Sequence, residues 1–243
     1  MSKTILVTGG SRGIGRACCV VAARRGWRIG INYAGNEAAA RDTLAMVREA
    51  GGQGLVLAGD VSREANVTAM FAATVAAFGP LDGLVNNAGI VAPGSKLADM
   101  DVARMRRMFD VNILGAFLCA REAARLMARG ASIVNISSAA ARLGGPGEYV
   151  DYAASKGAID TLTIGLAKEL GPVGIRVNAV RPGIIETDIH ASGGKPDRAA
   201  RLGPTSPLGR AGTAEEVAEA VVWLLSDAAS YATGALLDVA GGR

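Results

Sequence analysis

The chain has 243 residues, half of them hydrophobic and 4% aromatic, with a formal net charge of +4. That balance supplies a large core and argues against disorder, and the basic residues are spread along the chain with few aromatics beside them for base stacking, which argues against a nucleic-acid partner. A single histidine, His190, rules out a His-rich metal site, and no apolar run approaches the ~20 residues of a membrane span.

The N-terminal segment Met1-Ser2-Lys3 enters a strand-like run, Thr4–Thr8, with no cleavable signal, so a cytoplasmic protein is expected. Next comes a glycine-rich turn, Thr8-Gly9-Gly10-Ser11-Arg12-Gly13-Ile14-Gly15, and a helical pattern over 14–25. Glycines between a strand and a helix let the backbone approach a pyrophosphate, whose charge the helix N-terminus stabilises. Cys18 and Cys19 fall on that helix; with Cys119 they make an odd count without CxxC spacing, as expected of structural thiols in a reducing compartment.

The second strand, Arg28–Tyr33, ends in Ile31-Asn32-Tyr33 without the carboxylate that an NAD site uses on the ribose 2′-hydroxyl. Arg12 in the turn offers a cation for a 2′-phosphate. An absent acid and a present base select NADP(H) over NAD(H), with Asn32 at the cofactor.

Strand-like runs follow at 54–58, 83–86, 132–136, 176–180 and 236–239, alternating with helical patterns at 36–50, 63–78, 100–129, 149–170 and 213–226. This rhythm specifies one α/β domain over 1–243: a Rossmann-type, doubly wound parallel sheet of about seven strands with helices on both faces. One stretch, 187–212, breaks the rhythm with Gly193, Gly194, Pro196, Pro204 and Pro207 and a short helical patch at 196–202. It lies beyond the carboxyl end of a strand, where doubly wound folds place loops that cover a ligand, so a substrate lid is expected.

Asn86-Asn87-Ala88-Gly89 closes the fourth strand at the ligand-binding edge, and Ser137-Ser138 closes the fifth. Successive strand side chains face opposite ways, so one of those two serines reaches the site; Ser138 is preferred. Asn112 sits among Val111, Ile113 and Leu114 and needs a polar partner or a task. Tyr152 and Lys156 are spaced i, i+4 on one helix face, and an ammonium near a phenol favours the phenolate.

Taken in order, these motifs resemble the short-chain dehydrogenase/reductase family almost end to end. The match takes in residues 8–15, Asp60-Val61, the 86–89 turn, Asn112, Ser138, Tyr152, Lys156, Pro182-Gly183 and Thr187. The resemblance implies hydride transfer between NADP(H) and a small-molecule carbonyl or alcohol. Tyr152 would be the general acid or base, Ser138 the partner of the substrate oxygen, Lys156 the holder of the nicotinamide ribose, and Asn112 part of a water-linked proton relay.

The same resemblance puts Gly9, Ser11, Arg12, Gly13, Ile14, Gly15, Asn32, Asp60, Val61, Asn87, Ala88, Gly89, Pro182, Gly183, Ile185 and Thr187 at the cofactor, with Tyr152 and Lys156. It implies a homotetramer in which the long helices before and after Ser138 pack between subunits. The pattern departs from the family in one place, an extra residue between Ser138 and Tyr152, which the Gly- and Pro-containing loop 142–150 can absorb. Within the class, 3-oxoacyl-thioester reduction and sugar oxidation both stay open, and outside it a non-catalytic NADP(H)-sensing regulator. His190 is expected to face solvent in its loop, and Arg121, Arg125 and Arg129 to form a solvated helix face.

Overall fold

The computed structural model describes residues 2–243. Seven parallel strands form the sheet: β1 (Thr4–Val7), β2 (Arg28–Tyr33), β3 (Gln53–Ala58), β4 (Gly83–Asn86), β5 (Ser132–Ile136), β6 (Arg176–Pro182) and, last in the chain, Leu236–Val239, in the spatial order β3-β2-β1-β4-β5-β6 and then the C-terminal strand. The order reverses between β1 and β4, and in such sheets a crevice opens there at the carboxyl ends of the strands.

Alternation of side chains across β1 explains why both faces need cover. Ile5 and Val7 point to one face and join Val85, Val134 and Val180 from neighbouring strands. Leu6 points to the other, with Leu84, Ile133 and Val177. Helix α1 (Gly13–Ala23) covers the first face, with α2 (Glu37–Glu49) beside it; α3 (Glu64–Phe78) covers the second and buries Phe71 completely. Because every central strand is buried on both faces, these strands are continuous apolar runs and not alternating ones. Cys18, Cys19 and Cys119 are free, buried thiols; burial pushes Cys18 and Cys119 up to about 12, which leaves them unreactive at neutral pH.

The long helix expected over 100–129 is interrupted. Helix α4 (Val102–Phe109) gives way to a π-helical turn, Asp110–Leu114, before α5 (Gly115–Leu126). Hydrophobic spacing cannot register a single π turn, which widens the helix by one residue without changing its direction. Asp101 caps α4 by accepting from the Arg104 backbone N–H at 2.7 Å. A short helix, α6 (Ala140–Leu143), occupies ground expected to be loop and precedes the 21-residue helix α7 (Val150–Leu170).

The 187–212 segment is more ordered than its glycines and prolines suggest. Strands β7 (Ile185–Glu186) and β8 (Gly212–Thr213) pair in parallel and close its two ends. Between them lie α8 (Ile189–Ser192) and α9 (Arg198–Leu202). Helix α10 (Ala214–Leu225) follows at once, held by a capping box in which Thr213 and Glu216 each bond the other's backbone N–H. It packs on α1 and leads to β9 (Leu236–Val239). Arg121 pairs with Glu64 at 2.5 Å and Arg125 with Glu122 at 3.5 Å, so these two arginines on α5 meet carboxylates of their own chain.

Candidate active site

A cavity of about 710 Å³ opens at the carboxyl edge of the sheet, and all the residues expected at the site line it except Gly15 and Asn112, which stand immediately behind its wall. At one end the glycine-rich turn forms its floor. Gly9 adopts φ of +64°, which a side chain resists. A Cβ on Gly15 would lie 2.3 Å from the Gly9 carbonyl oxygen, so the turn and the first helical residues are in backbone contact.

No side chain caps α1 and no carboxylate occupies its first turn. Its leading N–H groups therefore remain available to an anion, a geometry that fits the pyrophosphate of a dinucleotide. Three polar side chains, two of them buried, hold the turn in place. Asn32 accepts from the Gly9 N–H at 3.1 Å and donates to the Gly59 carbonyl at 2.9 Å. Thr8 Oγ1 accepts from the backbone N–H of Asn87 and of Ala88, both at 2.9 Å. Asn87 returns its amide to the Thr8 carbonyl at 2.8 Å. Asn32 and Asn87 thus line the cavity while the Asn32 amide and Asn87 Nδ2 are bonded to the turn and its neighbours.

Arg12 is exposed at the cavity wall and makes no side-chain hydrogen bond or ion pair among the described residues. The lining beyond β2 runs Asn32, Tyr33, Ala34, Gly35, Asn36 and carries no carboxylate. Further along, Asp60 accepts from Ser62 and pairs with Arg107 at 3.1 Å; these contacts outweigh its partial burial and hold its carboxyl below the usual range.

At the centre of the cavity both serines line the wall. Ser137 turns inward and donates to the Lys156 carbonyl at 3.2 Å. Ser138 lines the cavity with Tyr152, and its Oγ accepts from the Ala140 N–H at 3.1 Å. Lys156 is buried beneath, its Nζ donating to the Ile136 carbonyl at 2.8 Å and lying 5.6 Å from the centre of the Tyr152 ring. Burial lowers its ammonium to about 8, against an opposing pull from Asp160 one helical turn on. Burial likewise pushes the Tyr152 phenol up to about 12, opposed by Ser138 and reinforced by Tyr149. Burial leads both shifts, because the same enclosure that brings the two groups together penalises charge on each.

Asn112 sits in the π-helical turn and is fully satisfied. Its Oδ1 accepts from the Ile90 N–H at 2.8 Å and its Nδ2 donates to the Ile90 carbonyl at 2.9 Å. This amide holds Ile90 in the segment that follows β4, beside the cavity. A Cβ on Gly89 would lie 3.4 Å from Asn112 Oδ1 and 3.5 Å from Lys156 Nζ, so the three converge on one point.

Sequence reasoning missed the far wall. Asp151, buried one residue before Tyr152, receives Arg104 of α4 at 2.9 Å and accepts from the Tyr152 N–H at 2.9 Å. Arg104 also donates to the Pro93 carbonyl, tying α4, α7 and the post-β4 loop together. Glu148 pairs with Lys195 and, at 2.7 Å, with Arg198, both from the 187–212 segment. His190 differs from expectation: it is half-buried on α8, lines the cavity and meets the Ile185 carbonyl through Nε2 at 2.8 Å. Burial lowers its pKa, so it is neutral at neutral pH. The Arg104–Asp151, Glu148–Lys195 and Glu148–Arg198 pairs join residues 47 to 50 positions apart in sequence, beyond any periodic signal.

Known proteins carry the same architecture. The family described as "Enoyl-(Acyl carrier protein) reductase" matches residues 9–243. An uncharacterized oxidoreductase, YgfF, of Escherichia coli is 52% identical over 98% of this chain and 98% of its own. A 2,5-dichloro-2,5-cyclohexadiene-1,4-diol dehydrogenase of Sphingobium indicum is 40% identical over 99% of this chain and 96% of its own. A short-chain dehydrogenase from Burkholderia cenocepacia, solved in complex with NADP, superposes with a TM-score of 0.92 at 32% identity, over 99% of this chain and 97% of that one. The Rossmann-type sheet, the ordered motifs and these likenesses together place the chain in the short-chain dehydrogenase/reductase family, whose members are oxidoreductases using NAD(P)(H).

Proposed function

We propose that the protein reduces a small-molecule carbonyl with NADPH, and oxidises the alcohol in reverse, with Tyr152 as the general acid and base. The observation that carries this reading is that Ser138 and Tyr152 share the cavity wall over a buried Lys156. A carbonyl oxygen seated between the two hydroxyls would receive a hydrogen bond from Ser138 and a proton from Tyr152 as negative charge develops on it. With its pKa near 12, the phenol is protonated at neutral pH, which is the form that reduction requires.

The cofactor supplies hydride when bound. The chain's own residues orient it: the N–H groups of α1 toward the pyrophosphate, Lys156 toward the nicotinamide ribose, and Pro182, Gly183, Ile185 and Thr187 along the nicotinamide end. An unpartnered Arg12 and the absence of a carboxylate after β2 favour NADP(H) over NAD(H), Arg12 meeting the 2′-phosphate. The 187–212 segment acts as the substrate lid, and Asn112, whose side chain is committed to Ile90, contributes to the proton relay through its placement of that residue. Leu114 and Phe117 are exposed apolar side chains on the α5 side, which supports association of copies into a homo-oligomer.

The test is NADPH consumption, followed by absorbance, across a panel of ketones, oxoacyl thioesters and sugars, with Tyr152→Phe beside the unaltered protein. The substitution should lower kcat by about 10²- to 10⁴-fold while NADPH still binds. An unaltered protein that binds NADPH but consumes it with no carbonyl, and yields none from alcohols, would replace the reductase with a binding protein.

A further inference from the structure

The cavity wall beyond Tyr152 carries an excess of positive charge that the reaction itself does not use. Arg198 of α9 is packed there, its side chain 12% exposed. Its guanidinium lies 5.0 Å from the centre of the Tyr149 ring and donates to the Tyr149 hydroxyl. Tyr149 in turn stands edge-on to Tyr152, with ring centres 5.9 Å apart. One aromatic ring therefore separates a confined cation from the phenol at the reacting centre.

The only carboxylate meeting Arg198 among the described residues is Glu148, and Lys195 takes its other oxygen. Two cations share one anion, so the cluster is one charge out of balance. Glu148 is held below the usual carboxylate range, by Lys195 first and then Arg198, and stays ionised. His190, on the same wall, is neutral and adds no charge. Asp188 also lines the cavity but faces the depression beside Gly13 and Arg16 as well, on the turn side. Arg198 lines the cavity, and its Nε makes no hydrogen bond among the described residues.

A partly desolvated guanidinium with an unbonded donor is a poor neighbour for a wholly neutral substrate and a good one for an anion. We propose that the substrate is an oxo compound bearing an anionic oxygen group, a carboxylate or a phosphate ester, bound at Arg198 with Lys195 adding to the field. This rests on the reductase reading and names the substrate class it acts on. The carbonyl would sit at Ser138 and Tyr152, and the anionic group would lie past the Tyr149 ring.

Matched pairs test it: levulinate against methyl levulinate, and hydroxyacetone phosphate against hydroxyacetone, each as kcat/KM with NADPH. A charge-assisted hydrogen bond predicts a preference of about 10- to 100-fold for the charged member of at least one pair. The larger preference identifies carboxylate or phosphate as the group. Arg198→Met should collapse the ratio toward one, chiefly through KM for the charged member, while Arg198→Lys, which keeps the charge, should retain part of it. Equal kcat/KM within both pairs, or a preference that survives Arg198→Met, overturns the anion assignment and leaves the reductase reading standing. Should no carbonyl be turned over, the reductase reading fails and calorimetry on the NADPH complex decides the subsite. Levulinate or hydroxyacetone phosphate binding that the neutral partner does not reproduce supports it; no such difference overturns it.

Discussion

At the turn end of the cavity, the restraints are neutral amides and a hydroxyl, each bonded to backbone. Asn32 reaches Gly9 and Gly59, Thr8 reaches Asn87 and Ala88, and Asn87 reaches back to Thr8. At the Tyr149 end the restraints are ion pairs between side chains, with Glu148 and Lys195 each about one-third exposed. The two kinds of restraint have different strengths. A buried amide that loses its partner strands a polar group in a dry place and costs about 1–3 kcal/mol. A partly exposed ion pair is worth about 1 kcal/mol or less and is screened by salt. On the proposed reading, the cofactor end is fixed by the stronger kind, while at the substrate end the Glu148–Lys195 pair is the weaker kind and the buried Arg104–Asp151 pair stands behind it.

Arg12 is the exception at the fixed end, a side chain held by no hydrogen bond or ion pair among the described residues. If it answers to the 2′-phosphate, Arg12→Ala should raise KM for NADPH by about 10- to 100-fold, as loss of a charge-assisted contact does. KM for NADH should hardly move. Steady-state kinetics with both cofactors reads this directly, and equal losses for the two would show that Arg12 supports the turn and not the phosphate.

How far each end was legible in the sequence follows the same division. The turn end could be read because its chemistry is local: glycines at 9, 13 and 15, a strand before and a helix after, Arg12 between. Tyr152 and Lys156 could be read because four residues is one helical turn. Strand alternation favours Ser138 over Ser137; in the structure both line the cavity, with Ser137 buried and bonded to the Lys156 carbonyl. The π-helical turn at 110–114 could not be read, because its apolar spacing is that of an α-helix. Nor could the Arg104–Asp151 and Glu148–Arg198 pairs, since charges on separate elements meet through topology alone. His190 was misread for that reason: its loop folds back over the cavity, closed by the two-residue pairing of β7 and β8.

Between the two ends, Lys156 offers a pH test. Its pKa lies below the ordinary lysine value, at about 8, so the ammonium is present below that pH and lost above it. If the charged form is needed to hold the ribose and support Tyr152, kcat for reduction should be level on the acid side and fall as pH rises through about 8. Asp160 holds the ammonium up, so Asp160→Asn should move that limb to lower pH while the acid-side plateau persists. A limb that stays in place would show that another group titrates.

The smallest effect belongs to Glu148. Glu148→Gln removes the charge shared by Lys195 and Arg198 but keeps a side chain of the same shape. Because the pair is partly exposed, thermal unfolding should shift by no more than about 1 kcal/mol of stability, a few degrees for a chain of this size. The same change leaves two cations without their carboxylate and should tighten binding of a carboxylate-bearing substrate by a few-fold, read as a lower KM for levulinate. Added salt should erase that gain, since it screens the exposed lysine first. A variant that loses several kcal/mol, or binds levulinate more weakly, would mean that Glu148 builds the wall itself, and the weaker end would then be as firmly made as the other.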